Sequence, residues 1–204
     1  MVLEDKGELQ TAAASILMKI LYAARMARFD LLRPTCRLAC FITKWTTLCD
    51  KQLHRLVCYI HSSLSVRMIG WVGDQGCDLN PHAYADADLA GCCDSQRSTS
   101  GVHMAIEGPS SRFPISALSK RQGCVSTSTP EAEIVAAFTA YKSLLLPSIA
   151  IWEVVFAREV VAQFHEDNQA MIRVVQTGKT PTMRHINRVH RSSIAWLHEQ
   201  LGNP

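Results

Sequence analysis

The stretch Ser126-Thr-Ser-Thr-Pro-Glu-Ala-Glu-Ile134 starts a helix beyond the middle of the chain. Thr129 can cap its first N–H groups, Pro130 suits its first position, and Glu131 is favoured near the positive end of its dipole. An apolar stripe at helical spacing continues it through Ile134, Phe138, Tyr141 and Leu145. The pattern therefore predicts a helix with one face packed on other elements.

Short segments of strand-like composition lie on both sides of this helix. Three precede it and one follows it, at 83–87, 101–107, 112–119 and 160–165. Three successive strands indicate an antiparallel meander, and the strand–helix–strand order indicates a parallel partner for the first strand. A short helix at 169–176, a loop at 177–183 and a last helix at 184–201 follow. The expected class is α/β, with a mixed sheet and helices packed on it.

The first 70 or so residues have a helical pattern instead. One apolar stripe runs through 11–28 and another through 51–62. Arg33-Pro34 interrupts the pattern between them, because the residue before a proline is disfavoured in a helix. A run rich in Gly, Asp, Asn and Pro at 73–81 is typical of a linker. We therefore predict an all-helical segment at 1–75 and an α/β domain at 76–204.

Composition narrows the class of protein. The 204 residues are 48% apolar and 19% charged, as expected for a globular chain, and the net charge of +3 is compatible with a polyanionic partner without being evidence for one. No run reaches about 18 apolar residues, because Pro147 and Glu153 interrupt the most apolar stretch, 144–157. The opening residues 1–6 lack the pattern of a secretory signal. We predict an intracellular protein that does not cross a membrane.

Eight cysteines are many for a chain of this length. No Cys-x-x-Cys pair occurs, but the helical segment contains residues of the types that bind zinc: Cys36, Cys40, Cys49, His54, Cys58 and His61. Their spacing is irregular, and the region has an amphipathic helical pattern. Free thiols in a reducing compartment are the favoured interpretation, with a zinc site as the alternative.

Three carboxylates are expected to meet at one edge of the predicted sheet. Asp86 lies near the end of the first strand, Asp167 closes the fourth, and the central helix adds Glu131 or Glu133, which its spacing does not distinguish. Such a group is mutually repulsive unless a cation neutralises it, and oxygen ligands favour Mg²⁺ or Mn²⁺. Two such ions would suit phosphodiester cleavage. The other acidic residues nearby are expected to be solvated, namely Asp88, Asp94 and Glu166.

Several blocks of the second part carry a family resemblance. They are Tyr84-Ala-Asp-Ala-Asp-Leu-Ala-Gly91, Arg97-Ser-Thr-Ser-Gly101, Ser119-Lys-Arg-Gln122, Ser126 to Ile134 and Asp167-Asn-Gln-Ala170. In this order and spacing they resemble the ribonuclease H domain of copia-type LTR retrotransposon Pol polyproteins, over about 84–190. Less specifically, 27–60 resembles the helical stretch that connects polymerase and ribonuclease H in the same polyprotein.

The resemblance implies a ribonuclease H-like fold with a five-stranded mixed sheet, and an endonuclease that hydrolyses the RNA strand of RNA–DNA hybrids. It assigns Asp86, Glu133 and Asp167 as ligands of two Mg²⁺ ions, with Mn²⁺ as a substitute, and so selects Glu133 over Glu131. The residues that it assigns to the hybrid are Lys120, Arg121, Ser126, Ser128 and Arg184, with a solvated or capping role as the alternative for the first four. The implied partners are the hybrid and the reverse transcriptase domain of the same element, in a cytoplasmic virus-like particle or the nucleus.

One departure from the family pattern affects the expected activity. The family usually has an acidic residue after the His-Ile pair near the C-terminus, whereas here the block is Arg184-His185-Ile186-Asn187. Asn187 is neutral and is a weaker ligand for a hard cation, while His185 is expected to assist product release by analogy. The alternative function is therefore a catalytically degenerate module that binds nucleic acid or a reverse transcriptase domain.

Overall fold

The helical segment and the α/β domain belong to separate compact units in the computed structural model, which describes residues 5–180 and 182–201. The division falls between Met68 and Ile69. Residues 69–75, which the sequence assigns to the helical segment, therefore lie in the second unit, where Trp71 and Arg112 exchange two backbone hydrogen bonds. Residues 1–4, which contribute to the prediction that the chain has no secretory signal, lie outside the described residues.

Within its described residues 5–68, the first unit contains three α-helices: α1 (Gln10–Ala27), α2 (Leu32–Ala39) and α3 (Thr47–Ser62). Two short 3₁₀ turns, Phe29–Leu31 and Ile42–Lys44, connect them. Pro34 does not interrupt a helix, because it lies in the first turn of α2, where its missing N–H has no helical acceptor. Leu17 of α1, Leu38 of α2 and Leu53 of α3 are among the buried side chains of this unit.

The sheet of the second unit consists of β1 (Asn80–Asp88), β2 (Thr99–Gly108), β3 (Ser111–Arg121) and β4 (Gln163–His165). Their order is β3-β2-β1-β4, with β1 antiparallel to β2 and parallel to β4. The prediction of a mixed α/β sheet with flanking helices is thus confirmed. Within the described residues the sheet has four strands, so the fifth strand of the family pattern is not among them.

One continuous helix follows β3. It begins as α4 (Thr129–Ala140), passes through a π-turn at Tyr141–Leu145 and continues as α5 (Leu146–Phe156). The wider turn ends two residues before Pro147, which lacks the N–H that a regular α-helix would use there. Ala132, Ala136 and Ala140 pack against Ala85 and Ala87 of β1. These small side chains let the helix approach the strand closely, and this packing positions Glu133 beside the end of β1.

The helix Thr129–Phe156 is also long and apolar enough to cross a membrane, by length and composition only. It has 28 residues and an apolar window of mean hydropathy 1.7, of which 44% is buried inside the unit. The sequence expectation considered 144–157 alone and missed this continuity. Because α4 packs on the sheet, the core helix of a globular protein explains the same composition. The absence of a membrane span stays a prediction.

The C-terminal part of the described chain is formed by α6 (Gln169–Thr177), α7 (Ile186–Val189) and α8 (Ile194–Leu201). The single helix predicted for 184–201 is wrong, because the chain leaves helical geometry after α7 and Arg191 has a φ of 55°. The break lets Ile186, Ile194 and Leu197 contribute to one core with Ile134 and Leu145 of the long helix.

Candidate active site

Three elements bring four carboxylates together at the end of β1. Asp86 comes from β1, Glu133 from α4, and Glu166 with Asp167 from the segment that follows β4. The charges of the other three all act on Glu133 and raise its pKa. The structure therefore brings together the three residues that the family resemblance selects, and adds Glu166.

The short strand β4 is held by aromatic and polar contacts on one face of the sheet. Its His165 forms a hydrogen bond with His82, with 2.9 Å between Nδ1 of His82 and Nε2 of His165. The ring of Tyr84 stacks on His165 with 4.3 Å between centroids. These contacts hold the end of β4 beside β1, and so determine the position of Glu166 and Asp167, which follow it in the chain.

Glu133 has the most unfavourable environment of the cluster. Its side chain is buried at 4% exposure, and Oε2 has no hydrogen-bond partner. Burial, followed by the charges of Glu166, Asp86 and Asp167, raises the pKa of Glu133 to about 8, although a backbone hydrogen bond from Ala87 opposes the rise. Glu133 thus favours a proton, or another cation, near neutral pH.

Glu166 is the site residue that sequence reasoning missed. The expectation that it is solvated is wrong, because it is half-buried and its Oε2 has no hydrogen-bond partner. Burial, together with the charges of Asp167 and Asp86, raises its pKa, although Oε1 accepts from the backbone N–H of Asn168 at 3.0 Å. Its position beside Asp167 was the only signal in the sequence, and acidic neighbours of that kind are commonly solvated.

The donor set of the cluster fits a hard divalent cation. All four groups are carboxylates, and two buried oxygens, one on Glu133 and one on Glu166, lack a partner. Among residues 5–180 and 182–201, however, no three His, Cys, Asp or Glu side chains are close enough as placed to hold one ion. Asp86 and Asp167 are exposed, so cation binding would require these side chains to draw inward.

Glu131 has a different role from Glu133, although the two are only two residues apart. Its Oε1 accepts from Nε2 of His185 and of His190, both at 3.0 Å. Its Oε2 accepts from the backbone N–H and the hydroxyl of Thr127, at 2.8 and 2.6 Å. Burial would raise the pKa of Glu131, but the bonds from Thr127 and His185 outweigh it and lower the pKa. This buried carboxylate is fully hydrogen-bonded, and it ties the C-terminal segment to the start of α4.

The two C-terminal residues with predicted catalytic roles lie on this segment. His185 is half-buried and contacts Glu131, and Asn187 is exposed on α7 between His185 and His190. The hydrogen bond to Glu131 explains the position of His185 without a catalytic role. Its part in product release stays a prediction.

The residues assigned to nucleic acid are not equally accessible. Lys120 and Arg184 are exposed, and Arg121 is half-buried, where it joins Ser95 in lowering the pKa of Cys92 to about 7. Ser126 is buried and donates to Gln122 at 3.0 Å. Ser128 is the N-cap of α4, a position that the sequence had assigned to Thr129, and it accepts from the N–H of Glu131. The structure thus gives both serines structural hydrogen bonds.

A cavity of about 450 Å³ lies at the N-terminal end of α4. Its lining is partly apolar, and its polar part consists of hydroxyl groups and one ammonium group, from Thr127, Ser128, Lys179, Thr180 and Thr182. A helix N-terminus with hydroxyl and ammonium donors favours anions, and among these a phosphate.

The cysteines form no disulfide, and no three metal-binding side chains in 5–180 and 182–201 are close enough as placed to hold one ion. The zinc site stays the alternative to free thiols. In the segment 36–61, Sγ of Cys58 lies 3.7 Å from Nδ1 of His54.

Comparisons of the chain with models of protein families, with curated proteins and with solved structures found no match. The class that the fold itself defines is a mixed α/β protein with a carboxylate cluster at the end of its central strand.

Proposed function

We propose that this chain is a metal-dependent endonuclease that hydrolyses the RNA strand of RNA–DNA hybrids, with a ribonuclease H-like fold. The observation that carries the proposal is the cluster of Asp86, Glu133, Glu166 and Asp167, which includes two buried carboxylate oxygens without partners. Leaving a buried polar atom unpaired is costly and is a frequent mark of functional sites. A cation that binds there would remove the cost.

Asp86, Glu133 and Asp167 would hold two Mg²⁺ or Mn²⁺ ions, and Glu166 adds negative charge to the cluster. When bound, such ions supply the Lewis acidity that phosphodiester cleavage requires. Glu133 is anchored by the backbone of Ala87, and Asp167 follows a strand fixed by His82 and Tyr84. The chain thus presents its ligands from rigid elements, which suits a site that must hold a defined geometry.

Hybrid binding would use groups around the cluster. The cavity at the start of α4 offers hydroxyl groups and Lys179 to a backbone phosphate, and Lys120 and Arg184 add exposed charge. Binding of this kind reads the groove shape and 2′-hydroxyls of the hybrid and weakens with salt. In the same proposal, the helical unit joins the chain to a reverse transcriptase domain, in a cytoplasmic particle or the nucleus.

The test is cleavage of a labelled RNA–DNA hybrid by the purified chain, with Mg²⁺ or Mn²⁺ and with EDTA. We expect metal-dependent cleavage of the RNA strand, outcompeted by unlabelled hybrid and not by duplex DNA or duplex RNA. Asp86→Asn, purified in parallel, controls for contaminating nuclease. Absence of cleavage by a folded chain, or equal competition by all three nucleic acids, would contradict the proposal.

A second candidate is a module that binds nucleic acid or a reverse transcriptase domain without cleaving. It is favoured by one observation, the neutral and exposed Asn187 where the family pattern has a carboxylate.

Asn187→Asp separates the two candidates. Because an ionised carboxylate binds a hard cation more strongly than an amide does, we expect cleavage of the hybrid to rise about tenfold in the variant. Initial rates of the unaltered chain and of the variant over a Mg²⁺ titration measure the effect. Asn168→Asp is unsuitable as a control, because Asn168 caps α6. Equal rates would mean that the fourth ligand is dispensable. If neither protein cleaves, the binding module is the better description.

A further inference from the structure

One face of α3 carries two side chains of the types that bind transition metals. His54 and Cys58 are four residues apart, so they are neighbours on the helix surface, and both are exposed. Two histidines at this helical spacing hold a zinc ion together in the His-Glu-x-x-His motif. The spacing and the exposure therefore make this pair accessible to a cation from solution.

The two side chains lie at a distance that suits a shared zinc ion. Sγ of Cys58 is 3.7 Å from Nδ1 and 3.8 Å from Nε2 of His54. Zinc bonds of about 2.3 Å to sulfur and about 2.0 Å to nitrogen, at a tetrahedral angle, separate the two ligand atoms by about 3.5 Å. Because both ring nitrogens are almost equally far from the sulfur, a rotation of the exposed ring directs the lone pair of either one toward the ion. Binding thus requires only a small adjustment of one side chain.

Neighbouring groups of the same unit that could bind a metal are engaged with other partners. Cys40 is one turn from Cys36, but its Sγ donates to the carbonyl of Cys36 at 3.3 Å. Cys49 is buried, and its sulfur accepts from the hydroxyl of Thr46 at 3.6 Å. Asp50, one turn before His54, accepts from an indole and from two backbone N–H groups at 2.6, 2.7 and 3.2 Å. In His54 and Cys58, by contrast, the ligand atoms of two side chains face each other.

We propose that His54 and Cys58 bind one Zn²⁺ ion on the surface of α3. A thiolate and an imidazole select zinc over Mg²⁺, so the site takes a different cation from the carboxylate cluster. Zinc displaces the thiol proton of Cys58 to solvent, so that an S–Zn bond replaces the S–H bond, and water completes the tetrahedral shell. Lys51 and Arg55 are close in the chain, but both are exposed, so solvent screens their repulsion. The site lies wholly in the first unit and does not depend on the proposed nuclease activity.

The test maps which thiols zinc protects from alkylation in the full chain. The reduced protein reacts briefly with N-ethylmaleimide at increasing Zn²⁺, with excess Mg²⁺ present to occupy the carboxylate cluster. Mass spectrometry of its peptides then reports the reaction of each cysteine separately. Because the thiolate is both the nucleophile and the metal ligand, a bound ion slows the alkylation of the cysteine that holds it. Four cysteines are exposed and serve as comparisons for one another: Cys40, Cys58, Cys77 and Cys93.

We expect zinc to slow the alkylation of Cys58 at least about tenfold, and that of the other three exposed cysteines less than about threefold. Equal protection of all four thiols would mean that zinc binds cysteines without selection, and would overturn the proposal. Absence of protection at Cys58 would overturn it as well.

His54→Gln separates the proposed pair from a cysteine that binds zinc alone. We expect this variant to need at least about tenfold more zinc for the same protection of Cys58, because it lacks the imidazole ligand. The matched control is His61→Gln, an exposed histidine of the same helix, which should stay within about threefold of the unaltered chain. Circular dichroism checks that both variants are folded. Equal effects of the two variants, or no effect of His54→Gln, would contradict the assignment of His54.

The molar mass in solution tests whether water completes the site. We expect light scattering to give the same mass with and without zinc, because one chain supplies both protein ligands. A dimer that forms only with zinc, and that His54→Gln abolishes, would overturn the open site in favour of one shared between two copies of the chain.

Discussion

Glu133→Gln is expected to stabilise the protein at pH 8 and to abolish its nuclease activity. The carboxyl is buried among three other carboxylates, and its pKa in the folded chain is about 8 instead of 4.5. Between these two values the folded state binds more protons than the unfolded state, so the free energy of unfolding falls as pH rises from 4.5 towards 8. The neutral amide removes this penalty, which for the two pKa values amounts to about 4 kcal/mol at pH 8.

Urea unfolding at pH 5 and pH 8, without divalent cations, measures the stability effect. We expect unaltered protein and Glu133→Gln to be similar at pH 5 and to diverge at pH 8, whereas the exposed control Glu159→Gln should follow the unaltered protein at both values. A variant less stable than the unaltered chain at pH 8 would mean that the cluster is not repulsive.

The same variant connects stability to the proposed metal site. Mg²⁺ that binds the folded state alone should raise the free energy of unfolding of the unaltered chain at pH 8, and should have a much smaller effect on Glu133→Gln. Cleavage of the hybrid should fall by about 10²-fold or more, because an amide replaces a charged ligand. Equal stabilisation of both proteins by Mg²⁺ would show that Glu133 is not a ligand of the metal.

Glu131→Ala should destabilise the protein by about 3–5 kcal/mol, in the opposite direction to Glu133→Gln. The change removes the acceptor of His185, His190 and Thr127, and the side chain of His190 is only 1% exposed. Because the pKa of Glu131 is lowered, its contribution is present above the unfolded pKa and is lost as pH falls through the folded value.

Chemical denaturation at pH 7 measures this loss, with the exposed Glu159→Ala as the matched control. Far-UV circular dichroism of Glu131→Ala should show which part of the helical signal survives, because the segment that carries α7 loses its anchor to α4. If the free energy of unfolding falls by less than about 1 kcal/mol, the four hydrogen bonds of Glu131 are little more favourable than the hydrogen bonds to water that they replace.

The contrast between Glu131 and Glu133 marks the limit of sequence reasoning for this site. Both lie in the first turns of α4, and both are buried. Helical periodicity places them on different sides of the apolar stripe, but it carries no information on what covers each side. The resemblance to a family selected Glu133 for the carboxylate cluster, and the structure places Glu133 beside Asp86 and Asp167. No sequence signal connected Glu131 to two histidines more than fifty residues away.

The sequence by itself determined the features that depend on near neighbours. Strand-like composition, the order of the segments, helical spacing and the turn residues predicted a mixed sheet with a central helix, because these signals depend on residues close together in the chain. The cap of α4 was misplaced by one residue, and the break in the last helix was missed, since both depend on what the chain contacts there.

The tertiary structure alone decided which polar groups are buried together. Ser126 is buried and donates a hydrogen bond to Gln122, and Glu166 belongs to the carboxylate cluster after β4. Pro147 lies inside a longer helix, shortly after a π-turn. In each case the outcome depends on how closely distant segments pack, and burial converts an ordinary surface group into one with an unpaired oxygen or a shifted pKa. A sequence pattern does not contain the distances between segments that are far apart in the chain. Burial and its effect on pKa values therefore follow only from the folded structure.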